Sequence, residues 1–258
     1  MPTQRVQTDT AQSAPSRRLE LPSSQAGNRA APVRYLSAAA GAARLHPDAA
    51  ALLAVTGAYL CYASLFFGKM HNFEVDVGTD FALADLLSQG KILYRDIAYR
   101  YFPLAPWVNA ALFRLLGRST DVLLGAATAA SFGIVILVFL LGREILPPAP
   151  AMVASLIVLN SAVYGPHLMS YATPYSFACT YGLLFSLIAL YGACRTLDTA
   201  YSRWDFITGC AAGLGMASKH EFAIINALIV GVNLAFRFSA HGRRILRGVF
   251  ASAGVCAA

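Results

Sequence analysis

Long apolar runs alternate with short polar joints along most of the chain. The first run extends from about Ala49 to Phe67, and a polar, acid-bearing stretch follows it from Lys69 to Tyr101. A shorter apolar piece, Phe102 to Leu116, is opened by Pro103 and Pro106. Then come Val122 to Gly142, Ala149 to Tyr164 and Pro174 to Cys194, with two shorter runs at Phe206 to Ser218 and Phe222 to Phe236. Apolar runs of this kind predict helices that cross a bilayer. The expected fold class is therefore all-α: a polytopic transmembrane helical bundle of about six spans. The last dozen residues read as the start of a seventh, and no internal repeat is visible. Phe206–Ser218 would reach only about 20 Å at 1.5 Å per residue, against a hydrocarbon core of about 30 Å. Either Tyr201–Asp205 extends that helix, or the joint Lys219-His220-Glu221 dips into the membrane.

Composition supports this pattern. The chain is 57% hydrophobic and 13% charged, whereas soluble domains carry about 25% charge. Its net charge of +7 would suit nucleic acid, but the basic residues lie between apolar runs, where membrane proteins keep them on the cytoplasmic side. No nucleic-acid partner is expected; the bilayer is. Residues 1–46 are rich in Ala, Ser, Gln, Pro and Arg without apolar periodicity, and read as a disordered cytoplasmic tail. Residues 47–258 form the membrane domain. If Phe102–Leu116 does not cross, the tail, Arg143, the Arg195–Arg203 loop and the Arg237–Arg247 patch share the cytoplasmic side. The piece is then a helix lying at the outer interface, although Arg114 and Arg118 face outward. The expected location is the inner (plasma) membrane, multi-pass, with a cytoplasmic N-terminus.

The cysteines Cys61, Cys179, Cys194, Cys210 and Cys256 fall in apolar stretches without a CxxC pair, so they read as small buried side chains. No metal-ligand spacing is present and no cofactor is expected. The topology puts three polar segments on the outer face. The first loop carries Glu74, Asp76, Asp80, Asp85, Arg95 and Asp96; the second spans His167 to Thr173; the third is Lys219-His220-Glu221. Carboxylates can act as general bases on an acceptor hydroxyl or amine, and a lysine can neutralise the phosphate of an anionic donor. The same groups also suit solvated surface acids, an interfacial histidine and a structural Lys219–Glu221 ion pair.

The stretch FEVDVGTDFALADLLSQGKILYRDIAYRYFPLAPWVNAALFRLLG, Phe73 to Gly117, resembles the first outer loop of GT-C class glycosyltransferases. It is most similar to bacterial members of glycosyltransferase family 39, the protein-mannosyltransferase-like enzymes. An Asp-x-Gly (Asp76, Gly78) follows the first span, then QGK-x-LYRD (Gln89 to Asp96), then a proline-opened helix ending in LFRLLG. Downstream, PYS (Pro174 to Ser176) and GLGMASKHE (Gly213 to Glu221) are similar to later signatures of the family. Many relatives carry a second acid where Val77 stands, and a Pro-Pro pair of which only Pro103 is in place.

This resemblance implies a bundle around a lipid-open cavity with juxtamembrane helices in the first outer loop. It implies transfer of a sugar from a polyprenyl-phosphate donor to a glycan, lipid or protein acceptor on the periplasmic or extracellular face. Asp76 matches the catalytic carboxylate, and Lys219, Arg95, Asp96 and Glu221 would line the cavity or meet the donor phosphate. Relatives usually continue through several more spans, so the chain reads as incomplete at its C-terminus. The alternatives are a non-catalytic membrane subunit and a transporter or flippase of lipid-linked substrates.

Overall fold

The computed structural model describes residues 46–69, 77–165, 170–197 and 203–241. The predicted tail, Glu74, Asp76 and His167 lie outside the described residues, as do Arg247 and the expected start of a seventh span. The described residues contain eight α-helices and no strand. They are α1 (Pro47–Phe66), α2 (Val77–Ser88), α3 (Leu104–Leu116), α4 (Thr120–Arg143), α5 (Pro148–Val158), α6 (Phe177–Thr196), α7 (Arg203–Met216) and α8 (His220–His241). A single π-helical turn, Leu159–Val163, prolongs α5.

Helices α1, α4, α6 and α8 are each long and apolar enough to cross a membrane. The expected count of about six therefore meets four qualifying helices, with α5 and α7 too short by length alone. Contacts at the helix ends show how these two are used. At one end Asp48 at the start of α1 pairs with Arg143 at the close of α4, with Nε–Oδ1 2.7 Å. There too Glu144 pairs with Arg195 at the close of α6, and Asp205 at the start of α7 pairs with Arg237 near the close of α8. At the opposite end the Leu104 N–H donates to the carbonyl of Ala217, just past α7, and Tyr62 of α1 donates to Asn160 in the π-helical turn. Short α5 and α7 thus run between the same two ends as the long helices.

The polar Lys69–Tyr101 stretch contains α2, in keeping with the juxtamembrane helices that the resemblance implied for the first loop. α2 and α3 pack on each other and on the mouth of the bundle. Both ends of the 67–119 segment lie at this mouth, so α3 does not cross, as its length and prolines predicted. Its outward residues Trp107 and Leu115 are exposed, as suits an interfacial helix.

Apolar packing and polar contacts share the interior. Tyr59, Val55, Val135, Phe139 and Leu159 form a core where α1, α4 and α5 meet. On α8, Asn226 donates to Ser186 at 2.7 Å and Asn233 to Thr196 at 3.0 Å, polar bonds between helices where lipid offers no substitute. Outward residues such as Leu53, Leu60, Leu228 and Phe236 are exposed and face the position of lipid. Small residues set the closest approaches: a Cβ at Gly182 of α6 would collide with the ring of Phe222. Gly182→Val is expected to overpack this contact and lower the thermal midpoint of the detergent-solubilised protein, at a cost of about 1–3 kcal/mol. An unchanged midpoint would show that Phe222 swings away freely.

Candidate functional site

The loop between α2 and α3 is a closed turn. Leu93 bridges to Ile97, and the Tyr94 N–H donates to the Ile97 carbonyl at 3.0 Å. Tyr94 sits at φ 65°, a left-handed conformation uncommon for a residue with a side chain. Asp96 Oδ2 accepts the Ile92 N–H at 2.9 Å, and Arg95 Nε donates to Asp96 Oδ1 at 2.9 Å. Arg95 leads, with the Ile92 N–H second, in holding the Asp96 carboxyl below its ordinary range. The LYRD motif therefore closes its own turn. Arg95 and Asp96 face each other and are not among the residues lining the cleft described next.

What the turn does is aim the following residues. Tyr99 and Tyr101 meet edge to face, with centroids 5.6 Å apart. Arg100 donates to Tyr101 Oη at 2.7 Å. Phe102 stacks on His220, with centroids 4.9 Å apart and planes 15° from parallel. This stack and the Leu104–Ala217 bond fasten the first loop to the joint between α7 and α8.

A cleft of about 450 Å³ opens here, lined by Thr79, Asp80, the run Ala98 to Tyr101, Tyr175 and Ser176. Its volume falls within the usual range for small-molecule sites. Asp80 lies on the buried stripe of α2 with Leu83, Ala84 and Leu87 and is only 6% exposed. Its Oδ2 accepts the Phe177 N–H at 2.9 Å, so a carboxylate from α2 occupies the N-terminus of α6, where the helix dipole favours negative charge. Ser176 is the N-cap residue of α6 but makes no side-chain capping bond. Its Oγ and the Oη of Tyr99 are buried without a hydrogen-bond partner. Burial, with Asp80 next in weight, pushes the Tyr99 phenol well above its ordinary range.

Lys219 stands beside this cleft. Its Nζ lies 4.9 Å from the centroid of the Tyr101 ring, 3.7 Å from Cys179 Sγ in the first turn of α6 and 3.3 Å from Glu221 Oε1. The lysine side chain is 16% exposed and that of Glu221 62%. Burial opposes the ammonium, but Cys179, Glu221 and Tyr101 outweigh it, and the lysine titrates above its ordinary value. Among the described residues no three of His, Cys, Asp and Glu gather as metal ligands would.

Of the residues predicted to act, Lys219 and Glu221 come together at the cleft mouth. Arg95 and Asp96 stay in their turn, and Asp76, just ahead of α2, lies outside the described residues. Asp80, Tyr99, Tyr101 and Ser176 were not singled out as site residues. Their signal was present in two places: the acid on an apolar i, i+3, i+4, i+7 stripe, and the PYS motif, whose serine enters the cleft.

The described residues thus form a multi-helix bundle with a polar cleft between its first loop and the α6 N-terminus. Residues 102–258, more than half of the chain, match the dolichyl-phosphate-mannose-protein mannosyltransferase family, and the chain belongs to that family. Neither a curated protein nor a solved structure matches it. Membership makes it a multi-pass membrane glycosyltransferase of the class that uses lipid-linked sugars. The matched region holds Ser176 and Lys219; Asp76, Asp80, Tyr99 and Tyr101 precede it.

Proposed function

We propose that the protein transfers a sugar from a polyprenyl-phosphate carrier to a glycan, lipid or protein acceptor on the outer face of the membrane, with Asp76 as general base. Asp76 takes the proton of the acceptor hydroxyl or amine as that atom attacks the anomeric carbon. The bond from this carbon to the phosphate oxygen breaks, and the lipid phosphate departs with the electron pair. A phosphate leaving group needs cationic stabilisation and little protonation, so one base suffices and inversion at the anomeric carbon is expected. Lys219 receives the phosphate, with Glu221 as its resting counter-ion. Arg95 and Asp96 shape the neighbouring wall through their turn. No cofactor is required by this scheme.

The observation that carries this reading is the largely buried ammonium of Lys219 at the mouth of a polar cleft, in a bundle whose helices face lipid. Orientation is supported by Arg143, Arg195 and Arg237, which gather at the opposite end. By the positive-inside rule that end is cytoplasmic.

The test is mass spectrometry of polyprenyl-phosphate sugars from cells lacking the protein, rescued with wild type or with Asp76→Asn. A lipid-linked sugar should accumulate without the protein, fall with wild type and stay high with the variant. Unchanged lipid-linked sugars in every strain would favour a non-catalytic membrane subunit instead.

A further inference from the structure

We propose that the outer flank of α3 carries a site for an anionic phospholipid of the surrounding membrane, with its acyl chain in an apolar groove and its phosphate against Lys91 and Arg114. The site is independent of the transfer reaction and lies on a surface other than the polar cleft.

A groove of about 510 Å³ lies between the end of α2, the closed turn and α3. It shares no lining residue with the polar cleft, and Lys219 is not part of it. The α3 residues that enter it are Trp107, Ala110, Ala111, Arg114 and Leu115, at the i, i+3, i+4, i+7, i+8 spacing of one helix face. The neighbouring stripe serves the bundle: Asn109 accepts the Tyr181 hydroxyl at 2.8 Å, and Phe113 packs with α4 and α6. Leu87, Leu93 and Ala110 make a buried floor, while Ile92, Trp107 and Leu115 stand exposed around it. An apolar hollow beside an exposed tryptophan on an interfacial helix fits an acyl chain near the headgroup level.

The rim adds charge of one sign. Among the described residues no carboxylate lines the groove. The two acids closest to Lys91 in the chain are paired elsewhere, Asp85 with Arg118 and Asp96 with Arg95. Lys91 is exposed and forms no ion pair among the described residues. Arg114 Nη2 donates to the Leu87 carbonyl at 2.7 Å and its Nε to the Ser88 carbonyl at 3.3 Å, which closes the end of α2. A guanidinium carries five N–H donors, so donors remain for phosphate oxygens. An apolar groove with an unopposed cationic rim complements a lipid that carries net negative charge better than a zwitterionic one. It also gives a use to an arginine on the outer face, where the sorting of charge disfavours it.

The experiment uses the full chain in nanodiscs. The chain has two tryptophans, Trp107 and Trp204, so in Trp204→Phe the fluorescence reports on the groove alone. Phosphatidylglycerol or phosphatidylcholine with brominated acyl chains is added at increasing mole fraction, and the bromines quench Trp107 when a chain enters. Phosphatidylglycerol should reach half-quenching at a mole fraction about fivefold or more below phosphatidylcholine. Lys91→Ala should raise that mole fraction about fivefold, the equivalent of about 1 kcal/mol for one basic residue at an anionic lipid surface. Ala111→Phe, which fills the groove from an exposed position, should reduce the extent of quenching by either lipid. Native mass spectrometry of wild type, comparing retained phosphatidylglycerol with phosphatidylcholine, makes the same comparison without the Trp204 change. Equal quenching by the two lipids, indifferent to Lys91→Ala, overturns the inference: Trp107 then merely sits in ordinary bilayer. Absence of quenching by both overturns it as well, because the groove is then filled by protein. Unbrominated polyprenyl phosphate that restores fluorescence at a lower mole fraction than unbrominated phosphatidylglycerol would assign the groove to the sugar carrier instead, against the inference.

Discussion

Asp205→Ala is expected to destabilise the bundle by about 3–5 kcal/mol, because it strips the carboxylate from a buried guanidinium. Arg237 is 3% exposed and Asp205 20%, and two guanidinium nitrogens meet the two carboxylate oxygens. The fork fixes α8 against the start of α7, a helix of only 14 residues that also packs closely on α6, where Gly192 meets Thr208. Removing one partner is far costlier than removing both, since an apolar pair of similar volume is often tolerated. The thermal midpoint of the detergent-solubilised protein should therefore collapse in Asp205→Ala. It should recover substantially in Asp205→Ala with Arg237→Met. A single variant as stable as wild type would mean that water at the membrane interface hydrates Arg237 without Asp205.

The long apolar runs were legible because lipid imposes them: a helix exposed to hydrocarbon must satisfy its own backbone and present apolar side chains. Hence α1, α4 and α6 appear close to their expected limits, while α8 (His220–His241) outruns the expected Phe222–Phe236. The position of α3 outside the bundle also followed, from proline placement and the sorting of arginines. Less legible was α2. Helices in the first loop were implied by the resemblance alone, although Leu83, Ala84 and Leu87 sit at helical spacing from Asp80. The fold tolerates that buried acid because its partner is the N-terminus of α6, almost a hundred residues away in sequence. No local pattern reports such a pairing. For the LYRD motif the resemblance implied a place in the cavity; in the structure Arg95 and Asp96 are adjacent and satisfy each other, closing a turn that presents Tyr99 and Tyr101. The Lys219–Glu221 pair was open to both a structural and a functional reading, and the 3.3 Å contact fits either; perturbation must separate them.

Lys219→Ala is expected to weaken binding of polyprenyl phosphate about 10- to 100-fold, the equivalent of roughly 1.5–3 kcal/mol for a hydrogen bond to a charged group. Glu221→Gln should have the opposite sign. In the resting protein the carboxylate competes for the ammonium, and at 62% exposure it can turn away to water when phosphate arrives. Deleting its charge removes the competitor, so affinity should hold or rise. A purely structural ion pair predicts a different pattern, in which both variants lose the same small stability and neither alters phosphate binding. The pH dependence follows from the signs. Burial disfavours the lysine charge, but Cys179, Glu221 and Tyr101 more than offset it and raise its pKa. The protonated form is thus favoured in the folded protein, and its contribution is complete below the ordinary lysine value of about 10.4. It is lost only as pH rises through the raised value. Wild-type binding measured by titration in nanodiscs should stay flat from about pH 7 through 9, above the second phosphate ionisation near pH 6. A decline within that window would show a lysine discharging early, which the contacts of Lys219 with Glu221 and Tyr101 oppose.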